Sequence, residues 1–234
     1  MSSTQQPRVD QIAELTRALD IPLPSLDPEI LELVVEAIAM TWNAVRNSYP
    51  VVVQNGDEAE ISALLETMLN ADLCTVPGLE LIVSSVDRGR ETVNFDGRRI
   101  ETRPDLSFRL THLDARFRLI AECKIIDISN GKTSALYRDK GITRFIDGDY
   151  AWAQRDAIML AYVRCGSQLE PTILGNLSTF PKMACVSSGL RIHPSGLVPA
   201  NNLGVSKHAR AFSYVHTTSA VPGQIELWHL WLDV

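Results

Sequence analysis

The sequence predicts an α/β protein, a mixed sheet flanked by helices with a helical extension at its N-terminus. Three observations carry this expectation. Apolar residues recur at helical spacing through about the first 70 positions. From about residue 79 the pattern changes to short β-branched or alternating runs. A helix-like stretch then separates these runs from further β-like segments near the C-terminus. The order is helices, strands, a helix, then strands, as expected of a mixed α/β domain.

The 234 residues allow one large domain, or one domain with an appendage. A boundary is expected at residue 50, between a helical extension over 1–50 and a main domain over 51–234. The composition, 45% hydrophobic and 21% charged, is that of an ordinary soluble globular protein. No window approaches the roughly 18 uninterrupted apolar residues of a membrane span. MSSTQQPRVD at the start lacks the apolar core of a secretory signal, so a cytoplasmic location is expected. Cys74, Cys123, Cys165 and Cys185 form no CxxC pair, which argues against a zinc site or a disulfide framework. The net charge of −6 is unevenly spread. Residues 1–100 carry 7 Lys and Arg against 16 Asp and Glu, whereas 101–234 carry 15 against 12. The C-terminal part is therefore mildly basic, which permits phosphate contact.

The elements follow in order. Val9, Ile12, Leu15 and Leu19 share one helical face over 8–20. Asp27-Pro28 reads as an N-cap with proline in the first turn of a helix over 28–47, apolar nearly all round. VVVQNG at 51–56 is a short β-branched run, and 56–70 is a third helix. LELIVSSV at 79–86 reads as a strand, with Asp96-Gly97 as a turn between strands. DLSFRL at 105–110 alternates, and RFRLIAECKIID at 116–127 is apolar enough for a central strand. SNGKTS at 129–134 is a loop, and 134–150 is a broken helical region. DYAWAQRDAIMLAYVR at 149–164 reads as a helix, and another is expected near 168–177. RAFSYVHTT at 210–218 and QIELWHLWLDV at 224–234 are β runs.

Glu122 and Lys124 stand two apart in the central strand, so both side chains lie on one face and Cys123 on the other. Such a charge pair is costly to bury unless the face is a cleft that uses it. Mg²⁺ takes oxygen ligands and keeps several waters, so two or three carboxylates suffice. Asp105, at the head of the neighbouring strand, and Glu122 could share one ion. Lys124 would then orient or activate water, or offset phosphate charge. The plainer alternatives are a solvated strand face for Glu122 and Lys124, and a turn-forming Pro-Asp for Asp105. The five histidines, His112, His193, His208, His216 and His229, show no metal-ligand spacing. In WHLW at 228–231, Trp228 and Leu230 face one way and His229 and Trp231 the other, which suits two-sided packing better than base stacking. No glycine-rich phosphate loop and no GxSxG motif is present.

Pro104-Asp105, then a gap of 16 residues, then Glu122-Cys123-Lys124 resembles the PD-(D/E)xK nucleases of the restriction-endonuclease-like superfamily. The resemblance covers about 57–165 and implies a restriction-endonuclease-like core of helix, three antiparallel strands, helix and strand. It implies a Mg²⁺-dependent endonuclease hydrolysing DNA phosphodiester bonds, with Mn²⁺ able to substitute. Asp105, Glu122 and an acid of the first core helix would hold the metal. Glu60 is the preferred match for that acid and Glu58 the alternative. GITRFIDGDY at 141–150 resembles bacterial relatives associated with phage defence, which would put Arg144 and Tyr150 near the site and the substrate. The extension would contact a partner such as an ATPase or helicase, or a second copy in a homodimer. The rival expectation is a non-catalytic subunit that keeps the fold and binds a partner or nucleic acid. Nothing in the residues separates DNA from RNA as substrate.

Overall fold

The computed structural model describes residues 9–99, 102–214 and 221–234. After a short helix α1 (Val9–Leu15), the first long helix, α2 (Pro28–Ser48), starts for a local reason. Asp27 accepts a hydrogen bond from the Glu29 amide, and Pro28 occupies the first turn, where its missing N–H costs nothing. Pro50 restarts the chain as α3 (Pro50–Asn55), so the β-branched run at 51–56 is helical. Helix α4 (Glu58–Asp72) follows directly, then one helical turn, α5 (Leu79–Ile82). The strand expected over 79–86 is thus shorter and later, as β1 (Val83–Asp87).

Strands β2 (Leu106–Leu110) and β3 (Leu119–Ile126) match the alternating and central runs. Asp96-Gly97 does form a turn, with Gly97 at φ 72°, but among the described residues its flanks form no strand, meeting through an isolated bridge between Thr92 and Thr102 and the Asn94 amide on the Arg99 carbonyl. The broken helical region is α6 (Ser134–Tyr137), a π turn (Arg138–Ile142) and α7 (Thr143–Ile146). The helix expected over 149–164 is overturned: residues 156–163 form β4 (Asp156–Val163). All eight of its residues are buried, and it lies parallel between β3 and a later strand. A strand covered on both faces loses its alternation, so its apolar run cannot be told from a helix by period. Helix α8 (Leu169–Thr172) and a 3₁₀ stretch (Leu174–Thr179) lie near the expected 168–177. Strands β5 (Cys185–Leu190), β6 (Leu203–His208) and β7 (Ile225–Asp233) complete the sheet. Residues 210–214 form no strand, and 215–220, with His216, lie outside the described residues.

The seven strands make one mixed sheet in the order β1-β2-β3-β4-β7-β6-β5. The three central strands, β3, β4 and β7, are mutually parallel, and the outer pairings are antiparallel. One face, carrying Cys123, Leu160, Tyr162, Trp228 and Leu230, packs against α2 and α4. The other, carrying Ile120, Met159, Leu227 and Trp231, packs against α6, α7, α8 and the 3₁₀ stretch. The expected alternation of 228–231 is therefore observed. The boundary expected at residue 50 does not separate two cores. Leu31, Val35, Ile38, Trp42 and Val45 of α2 share the core of the sheet, and Trp42 stacks on Tyr162 at 5.2 Å. No described helix is long and apolar enough to cross a membrane.

Candidate functional site

Strand β3 is longer than its neighbour β2, whose pairing runs only from Leu119 to Ala121 of β3. Beyond Ala121, the β3 amides on that side have no strand partner among the described residues. Two carboxylates take their place. Asp105 Oδ2 accepts from the Cys123 amide at 2.7 Å, and Glu58 Oε2 accepts from the Ile125 amide at 3.2 Å. Asp105 precedes the first residue of β2, and Glu58 opens α4, so both are delivered by chain ends that meet at this gap.

Lys124 enters the same space from β3. Its Nζ lies 2.8 Å from Glu58 Oε1, 2.9 Å from Glu122 Oε1 and 3.8 Å from Asp105 Oδ2. It also donates to the Cys123 carbonyl at 2.5 Å. Arg144, at the start of α7, stands 3.4 Å from Glu122 Oε1 and contacts the Tyr150 hydroxyl. Tyr150 in turn donates to the Arg103 carbonyl at 2.8 Å. Behind the centre, the Tyr162 hydroxyl donates to Cys123 Sγ at 3.4 Å and shares a 3.1 Å hydrogen bond with Ser62 of α4. That contact ties α4, β3 and β4 together.

The structure thus brings Asp105, Glu122, Lys124, Glu58 and Arg144 together. Glu60 stands apart from this centre. It is the N3 residue of a capping box, its carboxylate accepting from the Asp57 amide at 2.8 Å while its own amide donates to Asp57. The preferred helix acid therefore serves the helix end, and the alternative, Glu58, reaches Lys124. The signal was present in the sequence as Asp57-x-x-Glu60 ahead of an apolar run.

Glu122 is 1% exposed, and its Oε2 is buried without a hydrogen-bond partner among the described residues. Burial, and then Asp105, push its pKa up to about 8, against the pull of Lys124 and Arg144. For Lys124, burial works toward the neutral amine, but Glu122, Glu58 and Asp105 outweigh it, so its pKa is raised and the ammonium persists. Arg144 follows the same balance, with Glu122 the main opposing charge. Burial first, then Glu122, raise the Tyr150 pKa. Tyr150 is therefore a neutral hydrogen-bonding group at any working pH.

The donors fit a hard cation in kind: carboxylate oxygens, one of them a buried orphan. Among the described residues, no three Asp, Glu, His or Cys side chains are grouped so as to hold a metal ion. Magnesium does not require such a cage, since it is commonly held by one or two carboxylates with water and phosphate oxygens completing the shell. No protein-family model, curated protein or solved structure matches the chain, so its own residues carry the functional reading.

Proposed function

We propose that this chain is a Mg²⁺-dependent phosphodiesterase that cleaves DNA, built on a restriction-endonuclease-like centre. The observation that supports it most is the convergence of Asp105, Glu58 and Glu122 on Lys124, with Glu122 Oε2 buried and without a hydrogen-bond partner among the described residues. Asp105 and Glu122 would hold the metal, with Glu58 beside them. The bound ion would polarise the phosphate and lower the pKa of a water nucleophile. Glu122 must release its proton before it serves as a ligand. Lys124, held as an ammonium, orients water or offsets phosphate charge; its raised pKa speaks against a role as general base while the carboxylates surround it. Arg144, which contacts Glu122 and the Tyr150 hydroxyl, would meet the scissile phosphate, with Tyr150 fixing its guanidinium. A partner subunit such as an ATPase or helicase, or a second copy, would meet α1 and the outer side of α2, because the inner side of α2 is committed to the core.

The purified chain is incubated with plasmid and with RNA, in Mg²⁺ or Mn²⁺, beside Glu122→Ala and Lys124→Ala. Metal-dependent DNA cleavage that both substitutions abolish is expected. Equal background cleavage by all three proteins would reject the proposal. One observation favours a non-catalytic subunit instead. Asp105 and Glu58 are already engaged as caps of β3 amides, and Lys124 and Arg144 already stand against the carboxyls of the cluster. Calorimetric titration with Mn²⁺ separates the two readings, because the non-catalytic subunit predicts no metal uptake that depends on Glu122.

A further inference from the structure

A second concavity lies between α1 and the start of β3, with a volume of about 190 Å³. That is small for a drug-sized ligand: it holds one flat ring system, and any sugar or phosphate attached to it would lie at the rim. Phe117 and Trp152 supply aromatic walls, their rings 5.9 Å apart and edge to face. Leu15 of α1 closes one side. Arg116 fastens that helix by donating to the carbonyls of Glu14 at 3.4 Å and Arg17 at 2.9 Å.

Arg90, Arg116 and Arg118 bring three guanidinium groups to this small space, beside the carboxylates of Glu91 and Asp149, and Arg116 is already paired with Asp114. The Arg118 side chain is only 10% exposed. Its Nη1 lies 2.9 Å from Asp87 Oδ2, but the two are not aligned for a hydrogen bond, and both atoms are buried without a hydrogen-bond partner. Burial, and then repulsion from Arg90 and Arg109, depress the Arg118 pKa despite Asp87. Arg90, which makes no ion pair among the described residues, and Arg118 are thus the two guanidinium groups left to meet an anion.

The position matters as much as the lining. Arg118 and Ile120 precede Glu122 by four and two residues, so alternation puts them on the side of the chain that carries Glu122 and Lys124. At about 3.3 Å per residue, Arg118 lies about 13 Å from Glu122 along the strand. We propose that this pocket receives one nucleotide, its base against Phe117 and Trp152 and its phosphate on Arg118 and Arg90. The choice of a nucleotide rests on the phosphodiesterase reading, which would place an unstacked residue of the substrate strand here while the scissile bond lies at Glu122. A free nucleotide presents the same chemistry.

The full chain, held in EDTA so that cleavage cannot occur, is titrated calorimetrically with a nucleoside monophosphate, the matching nucleoside, inorganic phosphate and a single-stranded DNA oligonucleotide. Saturable binding of the monophosphate is expected, with the nucleoside and phosphate each at least about tenfold weaker, since each forgoes one half of the contacts. Arg90→Ala, on an exposed side chain, should weaken monophosphate binding about tenfold. Arg118→Gln should do at least as much. Because it strips Asp87 of its counter-ion, Leu15→Phe, which fills the pocket from α1, provides an independent block. Oligonucleotide binding that the monophosphate displaces identifies a strand nucleotide as the occupant. Monophosphate binding without oligonucleotide binding identifies a free one. No saturable monophosphate binding, or binding that Arg90→Ala and Leu15→Phe both leave unchanged, overturns the proposal. Neither metal nor cleavage enters this measurement, so an inactive centre with intact nucleotide binding would count against the phosphodiesterase reading alone.

Discussion

Glu122 is a carboxyl that its surroundings hold protonated near neutrality, beside an ammonium that its surroundings hold charged. With a pKa of about 8 against an ordinary 4.5, the folded state binds the proton more tightly than the unfolded chain does. The stability this contributes is present below about 4.5 and is lost as pH rises through about 8. In EDTA, urea unfolding should therefore show wild-type stability falling relative to Glu122→Gln between pH 5 and pH 9. With Mg²⁺ the same proton competes with the metal, so at limiting Mg²⁺ cleavage should climb with pH, and the climb should move to lower pH as Mg²⁺ is raised. A pH-independent cleavage rate between pH 6 and pH 8 would contradict this. Lys124→Ala leaves Glu58, Glu122 and Asp105 facing one another with only Arg144 nearby. Removing one partner of a buried ion cluster costs about 3–5 kcal/mol. The loss should show in urea unfolding at pH 8 and shrink at pH 5, where Glu122 holds its proton.

At the scale of elements, the site depends on where α4 begins. Asp57 and Glu60 cap each other across the first turn, and this fixes Glu58 between them. Glu60→Gln should cost about 0.5–1 kcal/mol of stability, as a weakened cap does, and leave cleavage within about twofold. Glu58→Gln should lower cleavage more than about tenfold, since it removes a charge 2.8 Å from Lys124. The opposite pattern in plasmid assays would return Glu60 to the site. Gly56 adds a packing constraint: a Cβ there would stand 2.6 Å from the Val52 carbonyl oxygen, so Gly56→Ala should shift the start of α4 and reduce stability and cleavage together. Much of this was legible in the sequence. The central strand and the positions of Asp105, Glu122 and Lys124 follow from apolar run length and alternation. The choice between Glu58 and Glu60 was also encoded, in the Asp57-x-x-Glu60 spacing, but acids crowd that turn for dipole reasons and obscure it. Strand β4 was not legible. Ala157 and Ala161 are strong helix formers, and burial on both faces removed the period that would have opposed them. The capping of β3 amides by Asp105 and Glu58 depends on β2 being shorter than β3, a register fact that no local pattern carries.

Across the whole molecule, the layer opposite α2 is joined to the sheet by a buried chain of polar groups. The Tyr137 hydroxyl meets His229 Nδ1 at 2.9 Å, and His229 Nε2 meets Ser206 Oγ at 2.6 Å. Ser206 Oγ meets His208 Nε2 at 2.7 Å, and His208 Nδ1 meets the Met183 carbonyl at 2.6 Å. A carbonyl can only accept, so His208 Nδ1 carries the proton. His208 Nε2 must then accept from Ser206, Ser206 must accept from His229 Nε2, and His229 Nδ1 must accept from Tyr137. With both histidines neutral, that is the one consistent direction of the chain. Burial enforces the neutrality, lowering the His208 pKa and, with His208 nearby, the His229 pKa to about 3. A depressed folded pKa contributes stability that is present above the unfolded value near 6.5 and lost as pH falls toward about 3. Burial of Asp156 raises its pKa to about 6, and Glu122 is raised as well, so both slope the other way over part of this range. Total stability against pH is therefore a sum that cannot be assigned to one group. The difference between wild type and His229→Gln removes the carboxyls and isolates the imidazole. Gln keeps hydrogen-bonding atoms but does not titrate, so it should cost about 1–3 kcal/mol at pH 7.5, where the intact chain is at its best. That gap should narrow steadily as pH falls from 6.5 to 4.5, because only the wild type must then hold an imidazole neutral against protonation in the unfolded state. Urea unfolding curves for the two proteins that stay parallel across this range would mean that the histidine chain is not held neutral, and the single hydrogen-bond direction deduced here would have to be abandoned.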